Sequence, residues 1–198
     1  MGVSSGLRPY QPVRWSDQRW HQAYTSGEFD YMSELFELPR YSQLIGYLRM
    51  QPGSPSVLDI GCGTGRLREL LGEEDFERYH GLDVSPEAIS SASRLDDPRT
   101  SFSAGDAMTT DLPPADVVVL NEMIYYTPSP RTLLRRVASI VRPGGVVLTS
   151  IWRHAGDRAL WRALDEELSL VAACRTRAEN NPYNRLGWRV SCHRVAGA

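Results

Sequence analysis

The feature that most constrains the fold is the segment VLDIGCGTGRL at residues 57–67. An apolar, strand-like run leads directly into Gly61, Gly63 and Gly65, and a helical pattern follows. Glycine lets the backbone approach a ligand closely, and the start of a helix offers free N–H groups. The segment therefore predicts a nucleotide-binding turn between a buried strand and a helix.

From residue 51 onward, strand-like and helix-like segments alternate. This pattern predicts βαβ units, and hence an α/β, Rossmann-like, doubly wound and mostly parallel seven-stranded sheet with helices on both faces. The predicted strands are 56–60, 79–84, 100–104, 115–120, 146–152 and 188–195, and the predicted helices are 66–71, 86–95, 131–141 and 157–173.

The order of these segments predicts one domain. Residues 1–14 contain no periodic pattern, so we expect a flexible tail. Residues 15–198 are expected to form the domain, with an N-terminal helical cap at 15–50 and a Rossmann-like core at 51–198. The break between the two is the Pro- and Gly-containing segment QPGSP.

Charge composition excludes several classes of function. The chain has 22 basic residues, all of them arginine, and 24 acidic residues, which gives a formal net charge of -2. A nucleic-acid partner is not expected, because nothing indicates a basic surface for a phosphate backbone. Without lysine, the chain lacks the means for a Schiff base or a Walker phosphate loop.

The cysteines and the apolar runs argue against metal sites, disulfides and membrane spans. Cys62, Cys174 and Cys192 are widely spaced, so we expect neither a zinc site nor a disulfide framework, and no metal. No apolar run approaches the length of about 18 residues that a membrane span needs. We therefore expect a cytoplasmic protein without a membrane partner. As a separate expectation, it is a monomer or a homodimer.

The spacing of the glycine loop argues against a dinucleotide. The dinucleotide fingerprint needs a small residue where this chain has Arg66. In addition, Asp59 precedes the first glycine, and its carboxylate would repel a pyrophosphate. A ligand with an ammonium and a sulfonium group, such as the methionyl part of S-adenosylmethionine, would be attracted instead.

Two further acids follow the next two predicted strands. Asp83, at the end of the second strand, is placed to accept hydrogen bonds from both ribose hydroxyls, and Val84 offers an apolar surface to an adenine ring. Asp106, followed by Ala107 after the third strand, could accept from the adenine amino group. A helix cap for Asp83 and a turn for Asp106 are the alternatives.

These motifs together resemble the class I S-adenosylmethionine-dependent methyltransferases. The matching segments are VLDIGCGTG, GLDVSPEAI, AGDAM, DVVVLNEMIYY and RPGG. The resemblance implies that Asp59, Gly61 and Gly63 contact the methionyl end, that Asp83 binds the ribose and Asp106 the adenine, and that Asn121 borders the amino group. It also implies S-adenosylhomocysteine as product and a terminal antiparallel hairpin, which residues 171–195 could supply.

A narrower resemblance is to the nodulation-type small-molecule N-methyltransferases, through FDYMSELFELPRY and NEMIYY. It implies that the N-terminal helices fold over the cofactor, with Tyr24, Tyr31 and Arg40 facing it. The Arg40 guanidinium would suit the methionyl carboxylate. A solvated surface position for Arg40 is the alternative.

The methyl acceptor is expected beyond the fourth and fifth strands. Glu122 and His154 are candidate general bases, and Tyr126 is a further candidate catalytic residue. The alternative for His154 is a purely structural role. The alternative for Glu122 is to orient an ammonium substrate. We predict transfer to a nitrogen or oxygen of a small metabolite. A nicotinamide-dependent oxidoreductase and a non-catalytic methyltransferase-like partner protein are the alternatives.

Overall fold

The computed structural model describes residues 15–152, 157–179 and 187–195. The tail predicted at 1–14 lies outside these ranges. The strands are β1 (Ser56–Ile60), β2 (Arg78–Asp83), β3 (Thr100–Ala104), β4 (Ala115–Asn121), β5 (Val141–Trp152), β6 (Leu168–Arg177) and β7 (Gly187–Val195). The helices are α1 (Asp17–Thr25), α2 (Leu38–Arg49), α3 (Arg66–Leu70), α4 (Pro86–Ala92), α5 (Pro130–Ile140) and α6 (Asp157–Glu167).

The strands form one seven-stranded sheet in the order β3-β2-β1-β4-β5-β7-β6. The first five strands pair in parallel, whereas β7 pairs antiparallel with both β5 and β6. The order reverses between β1 and β4, which places the carboxyl ends of β1, β2 and β4 around one crevice. The predicted mostly parallel seven-stranded sheet is confirmed.

Helices cover both faces of the sheet, as predicted. On one face, α5 and α6 bury Leu133, Leu160 and Leu164 against the sheet. On the other face, α2 and α3 bury Leu44 and Leu67. The central strand β4 has an almost continuous apolar sequence because both of its faces are covered in this way.

The N-terminal segment has two parts, of which only the second packs on the sheet. Helix α2 packs on the sheet with Leu44 and Leu48 in the hydrophobic core, so this part of the predicted cap belongs to the helical layer. Helix α1 and two short 3-10 turns, Asp30–Ser33 and Leu35–Glu37, precede it. A hydrogen bond of 2.6 Å between His21 Nδ1 and a Glu87 carboxylate oxygen joins α1 to α4.

The helix predicted at 157–173 is correct as far as Glu167, but its last six residues form a strand. Helix α6 ends at Glu167, and β6 begins at Leu168. The alanines of this segment favour a helix, but their backbone pairs with β7, as in Ala173 with Ser191. The resulting antiparallel hairpin is the one that the family resemblance implied. Within the described ranges, no helix is both long enough and apolar enough to cross a bilayer.

Candidate functional site

A cavity of about 310 Å³ lies at the carboxyl ends of β1, β2 and β4. This volume is at the lower end of the range for small-molecule sites. Its walls are the glycine loop, the segments that follow β2, β3 and β4, and the N-terminal residues 15–32 and Tyr41. Ligands of open α/β sheets bind in this crevice, because the strand order reverses there.

The glycine loop forms one wall, and its glycines have different tasks. Gly63 has φ +55°, and a Cβ there would lie 3.3 Å from the Tyr24 hydroxyl. Gly65 has φ +85°, and a Cβ there would lie 2.8 Å from Leu95 Cδ1, in the contact between the loop and its neighbours. Tyr24 therefore covers Gly63 on the cavity side, whereas Gly65 permits close packing behind the loop.

Asp83 lines the cavity at the end of β2, although only 6 % of the residue is exposed. One carboxylate oxygen accepts the Gly63 N–H at 2.9 Å, and the other accepts the Ser85 N–H at 3.0 Å. Burial raises the pKa of Asp83, and these backbone hydrogen bonds oppose that rise. The carboxylate is thus held beside the glycine loop.

The residues after β2 and β3 continue the same wall. Val84 is 42 % exposed, and Ala107 is buried. Asp106 is exposed and accepts the Met108 N–H at 2.8 Å. All three line the cavity together with Asp83. The structure therefore brings together the residues for which the resemblance implied ribose and adenine contacts.

Asp59, unlike Asp83 and Asp106, does not reach the cavity. Its side chain is buried and is not among the residues that line the cavity. One carboxylate oxygen accepts a hydrogen bond of 2.5 Å from the Tyr79 hydroxyl. Burial raises the pKa of Asp59 to about 7, against the lowering effect of this hydrogen bond. The expected direct contact between Asp59 and the methionyl end is not supported by this position.

Arg40 is buried, and both expectations for its side chain need correction. Its guanidinium contacts Glu37 at 2.7 Å and donates to Asn121 Oδ1 at 2.6 Å. With 1 % exposure, it is not a surface arginine, and it does not line the cavity. The guanidinium instead supports Asn121, which does line the cavity and also accepts from the Ser150 hydroxyl at 2.7 Å.

Glu122 follows β4 in an unusual backbone conformation. Among the described residues, it is the one non-glycine residue with positive φ, at +57°. The Tyr125 hydroxyl donates to one of the Glu122 carboxylate oxygens at 2.9 Å, and the Ser150 hydroxyl, 2.9 Å from the other, shares its single hydrogen with Asn121 Oδ1. Burial raises the pKa of Glu122, and the Arg40 charge opposes that rise. The left-handed conformation is found at functional sites more often than elsewhere, and here it accompanies a carboxylate that lines the cavity.

Five rings that line the cavity form an aromatic cluster, defined as Trp15, Trp20, Tyr24, Phe29 and Tyr126. Tyr126 packs edge-on against both tryptophans, with ring centroids 5.3 and 4.9 Å apart. Sequence reasoning selected Tyr24 and Tyr126 but missed Trp15, Trp20 and Phe29 as site residues. The available signal was the concentration of rings in an otherwise polar N-terminal segment.

His154 lies outside the described residues, so its candidate role as a base remains a prediction. Within the described ranges, no group of three His, Cys, Asp or Glu residues is arranged to hold a metal ion. The histidines of β2 and β7 are bonded within the sheet, since His80 contacts Ser101 and Ser103 and His193 contacts Ser191.

Comparisons with known proteins identify the family. Residues 29–191 match the family model described as a methyltransferase domain. The chain is 29 % identical over 161 residues to the ubiquinone biosynthesis O-methyltransferase of Citrobacter koseri, which covers 75 % of this chain and 65 % of that protein. The chain spans less than two thirds of the length of the curated relatives that it matches.

Solved structures share the fold. The N-methyltransferase NodS from Bradyrhizobium japonicum, in complex with S-adenosylhomocysteine, superposes with a TM-score of 0.74 at 23 % identity, over 88 % of this chain and 99 % of NodS. The 1,6-didemethyltoxoflavin-N1-methyltransferase of Burkholderia thailandensis gives a TM-score of 0.72 at 22 % identity, over 90 % and 86 % of the two chains. The family match favours a methyltransferase over the oxidoreductase alternative. The chain belongs to the class I S-adenosylmethionine-dependent methyltransferases.

Proposed function

We propose that this protein transfers a methyl group from S-adenosylmethionine to a nitrogen or oxygen atom of a small metabolite. The observation that carries the proposal is the placement of Asp83, Glu122 and the glycine loop around one cavity. Asp83 is the last residue of β2, and Glu122 follows β4; the two strands are separated by β1. That separation is two strand spacings, or about 10 Å, enough to place a nucleoside at one end and an acceptor at the other.

The charges of the cavity fit a cationic nucleoside. The described residues that line it include three carboxylates, those of Asp83, Asp106 and Glu122, and one guanidinium, that of Arg66. Arg66 contacts Glu69 at 3.0 Å, and Arg94 contacts the same carboxylate. With three carboxylates against one guanidinium, the lining is net negative, so a pyrophosphate would be repelled and a sulfonium attracted.

Each part of the cofactor has a partner in the proposal. Asp83 binds the ribose hydroxyls, Val84 and Ala107 contact the adenine ring, and Asp106 accepts from its amino group. The methionyl end lies along Gly61 and Gly63, with Asn121 beside it and the Tyr24 hydroxyl at its edge. Tyr24 borders this part of the cavity, because its hydroxyl lies directly against Gly63.

In this proposal Arg40 and Asp59 act from behind the cavity wall. Arg40 holds the Asn121 side chain through a hydrogen bond of 2.6 Å. Asp59 lies in β1, directly before the glycine loop, and is anchored by Tyr79. Both are positioning residues, because neither lines the cavity.

S-adenosylmethionine, when bound, supplies a methyl group that is already activated by its sulfonium. The protein therefore has two tasks, to align the acceptor and to take its proton. Glu122 is the proposed proton acceptor. Burial raises the pKa of Glu122 toward neutral pH, and a general base is most effective when its pKa lies near the pH at which the enzyme works. Ser150 and Tyr125 fix both oxygens, and Tyr126 borders the acceptor.

The size and chemistry of the acceptor follow from the relatives and the cavity. The curated relative named above is an O-methyltransferase, and the two solved structures are N-methyltransferases. The proposal therefore keeps both nitrogen and oxygen as possible acceptor atoms. A cavity of about 310 Å³ supports a small acceptor rather than a macromolecular one.

Two measurements test the function. Isothermal titration of the full chain with S-adenosylmethionine and S-adenosylhomocysteine should give saturable heats. A metabolite extract incubated with methyl-labelled cofactor and protein should then yield a labelled product by mass spectrometry, and extract without protein is the control. No heat at millimolar cofactor would contradict the proposal at its first step. Binding without label in any extract would favour the non-catalytic alternative.

A further inference from the structure

The aromatic cluster is continuous with the carboxylate proposed as base. Tyr126 belongs to the cluster, and its ring centroid lies 4.8 Å from that of Tyr125. The Tyr125 hydroxyl in turn donates to Glu122 at 2.9 Å. A molecule bound against the rings therefore lies next to the Glu122 carboxylate, in the same cavity.

The cationic side chains near this end of the cavity are already paired. Arg19 makes two hydrogen bonds of 2.6 Å to Glu28, and its guanidinium lies over the Trp15 ring. Arg40 contacts Glu37 at 2.7 Å behind the wall. Among the described residues, neither of these guanidiniums is left to receive a carboxylate or a phosphate of an acceptor.

Aromatic faces and carboxylates attract the same kind of molecule. The face of an aromatic ring is electron-rich and attracts ammonium groups, and rings also stack with flat ligands. The Trp15 ring already carries the Arg19 guanidinium, but the other four rings of the cluster, with Glu122 beside them, offer both interactions at once. An anionic acceptor would face repulsion from Glu122, and the guanidiniums of Arg19 and Arg40 are already paired with Glu28 and Glu37.

We infer that the methyl acceptor is a flat aromatic compound with a basic amine, which enters the aromatic cluster as an ammonium ion and is methylated on that nitrogen. This inference rests on the proposed function and narrows it. Glu122 first takes one proton from the ammonium, which leaves a neutral amine with a free electron pair. The amine nitrogen then forms a bond to the methyl carbon as the carbon–sulfur bond breaks, and the electron pair of that bond remains on sulfur.

The test uses three probes on the full chain saturated with S-adenosylhomocysteine, which cannot donate a methyl group. Tryptamine has both a ring and a cation, indole-3-acetate has the same ring with an anion, and 2-cyclohexylethylamine has the cation without aromaticity. Titration calorimetry should show tryptamine binding about tenfold more tightly than either of the others, since ring and charge each contribute.

A pair of variants assigns the binding to the cluster. Trp20→Leu should weaken tryptamine about fivefold to tenfold, in line with the loss of one cation–π partner, while S-adenosylhomocysteine still binds. Tyr47→Leu removes a ring that packs on the other face of the sheet and does not line the cavity, and it should change neither affinity. If Trp20→Leu no longer binds S-adenosylhomocysteine, Phe29→Leu replaces it as the test variant.

The outcomes separate the two proposals. Failure of S-adenosylhomocysteine itself to bind would contradict the proposed function. Normal binding of S-adenosylhomocysteine would overturn the inference alone in any of three cases: indole-3-acetate equals tryptamine, 2-cyclohexylethylamine equals tryptamine, or none of the probes binds at millimolar concentration.

Discussion

The Asp83 carboxylate accepts the N–H of Gly63 at 2.9 Å, so the end of β2 is joined to the glycine loop that follows β1. Its second oxygen accepts the Ser85 N–H, which places the same side chain at the start of α4. Asp83 thus fixes the loop and also lines the cavity. We expect loss of this carboxylate to affect the cofactor site in both ways.

The variant Asp83→Ala should bind S-adenosylhomocysteine more weakly by about tenfold to a hundredfold. This corresponds to about 1.5–3 kcal/mol, the contribution of hydrogen bonds to a charged group. Titration calorimetry measures the change. Asp111→Ala is the matched control, because Asp111 is exposed and does not line the cavity. Unchanged affinity in Asp83→Ala would mean that the ribose binds elsewhere.

The variant Glu122→Gln should lower kcat by about 10²–10⁴-fold, the usual contribution of a general base. Cofactor affinity should change little, because the carboxylate is proposed to act on the acceptor. The assay is methyl transfer under saturating cofactor, once an acceptor has been identified from labelled extract. Glu34→Gln, at an exposed position outside the cavity, is the control. Full activity in Glu122→Gln would remove Glu122 from the mechanism.

The pH dependence of the rate should reflect the same carboxyl group. Burial raises the pKa of Glu122, so the ionised base forms only at a higher pH than for an exposed glutamate. The rate should therefore rise with pH through a raised pKa and level off once Glu122 is ionised. In Glu122→Gln this rise should disappear from the residual rate, and a profile identical to that of the parent protein would argue against the assignment.

Asp59 should make the fold less stable as pH rises. Its pKa in the folded protein is about 7, above the ordinary value of 3.8, so the folded state keeps a proton that the unfolded state has lost. The free energy of unfolding should therefore fall between about pH 4 and pH 7, by an amount on the order of 4 kcal/mol. Asp59→Asn should lack this loss.

Urea unfolding of the ligand-free protein at pH 4, 6 and 8 measures the Asp59 effect. The stability of Asp59→Asn relative to the parent protein should increase across this series. Asp111→Asn serves as control and should follow the parent curve, since Asp111 is exposed. Parallel curves for Asp59→Asn and the parent would show that Asp59 is ionised in the fold at all three pH values.

The buried pair of Arg40 and Glu37 should stabilise the fold rather than bind the ligand directly. Arg40→Met leaves the Glu37 carboxylate buried without its partner at 2.7 Å, which should cost about 3–5 kcal/mol of unfolding free energy. Adding Glu37→Leu should recover most of that loss. The double variant should bind S-adenosylhomocysteine more weakly, because Asn121 loses its hydrogen bond from Arg40. A loss of affinity larger than that of Asn121→Ala would show that Arg40 also contacts the ligand directly.

Much of the fold was accessible from the sequence because its signals are local. Strand β1 begins and ends at the predicted residues, since an apolar run is bounded by Pro55 and Gly61. The glycine loop and the acids after β2 and β3 lie within a few residues of a strand end, so order along the chain predicts that they share one edge of the sheet. The predicted helix over residues 168–173 failed, because pairing with β7 is a non-local interaction.

The features of the site fall into the same two groups, those set by local sequence and those set by contacts between distant residues. The sequence by itself determined the family, the parallel sheet and the placement of Asp83 and Asp106, because each depends on residues next to a strand end. Only the tertiary structure decided that Arg40 contacts Asn121, 81 residues away, that Tyr79 binds Asp59, and that Trp15 and Trp20 pack against Tyr126. These contacts arise from packing between elements far apart in the chain, and burial and pairing at such distances leave no pattern in a single sequence.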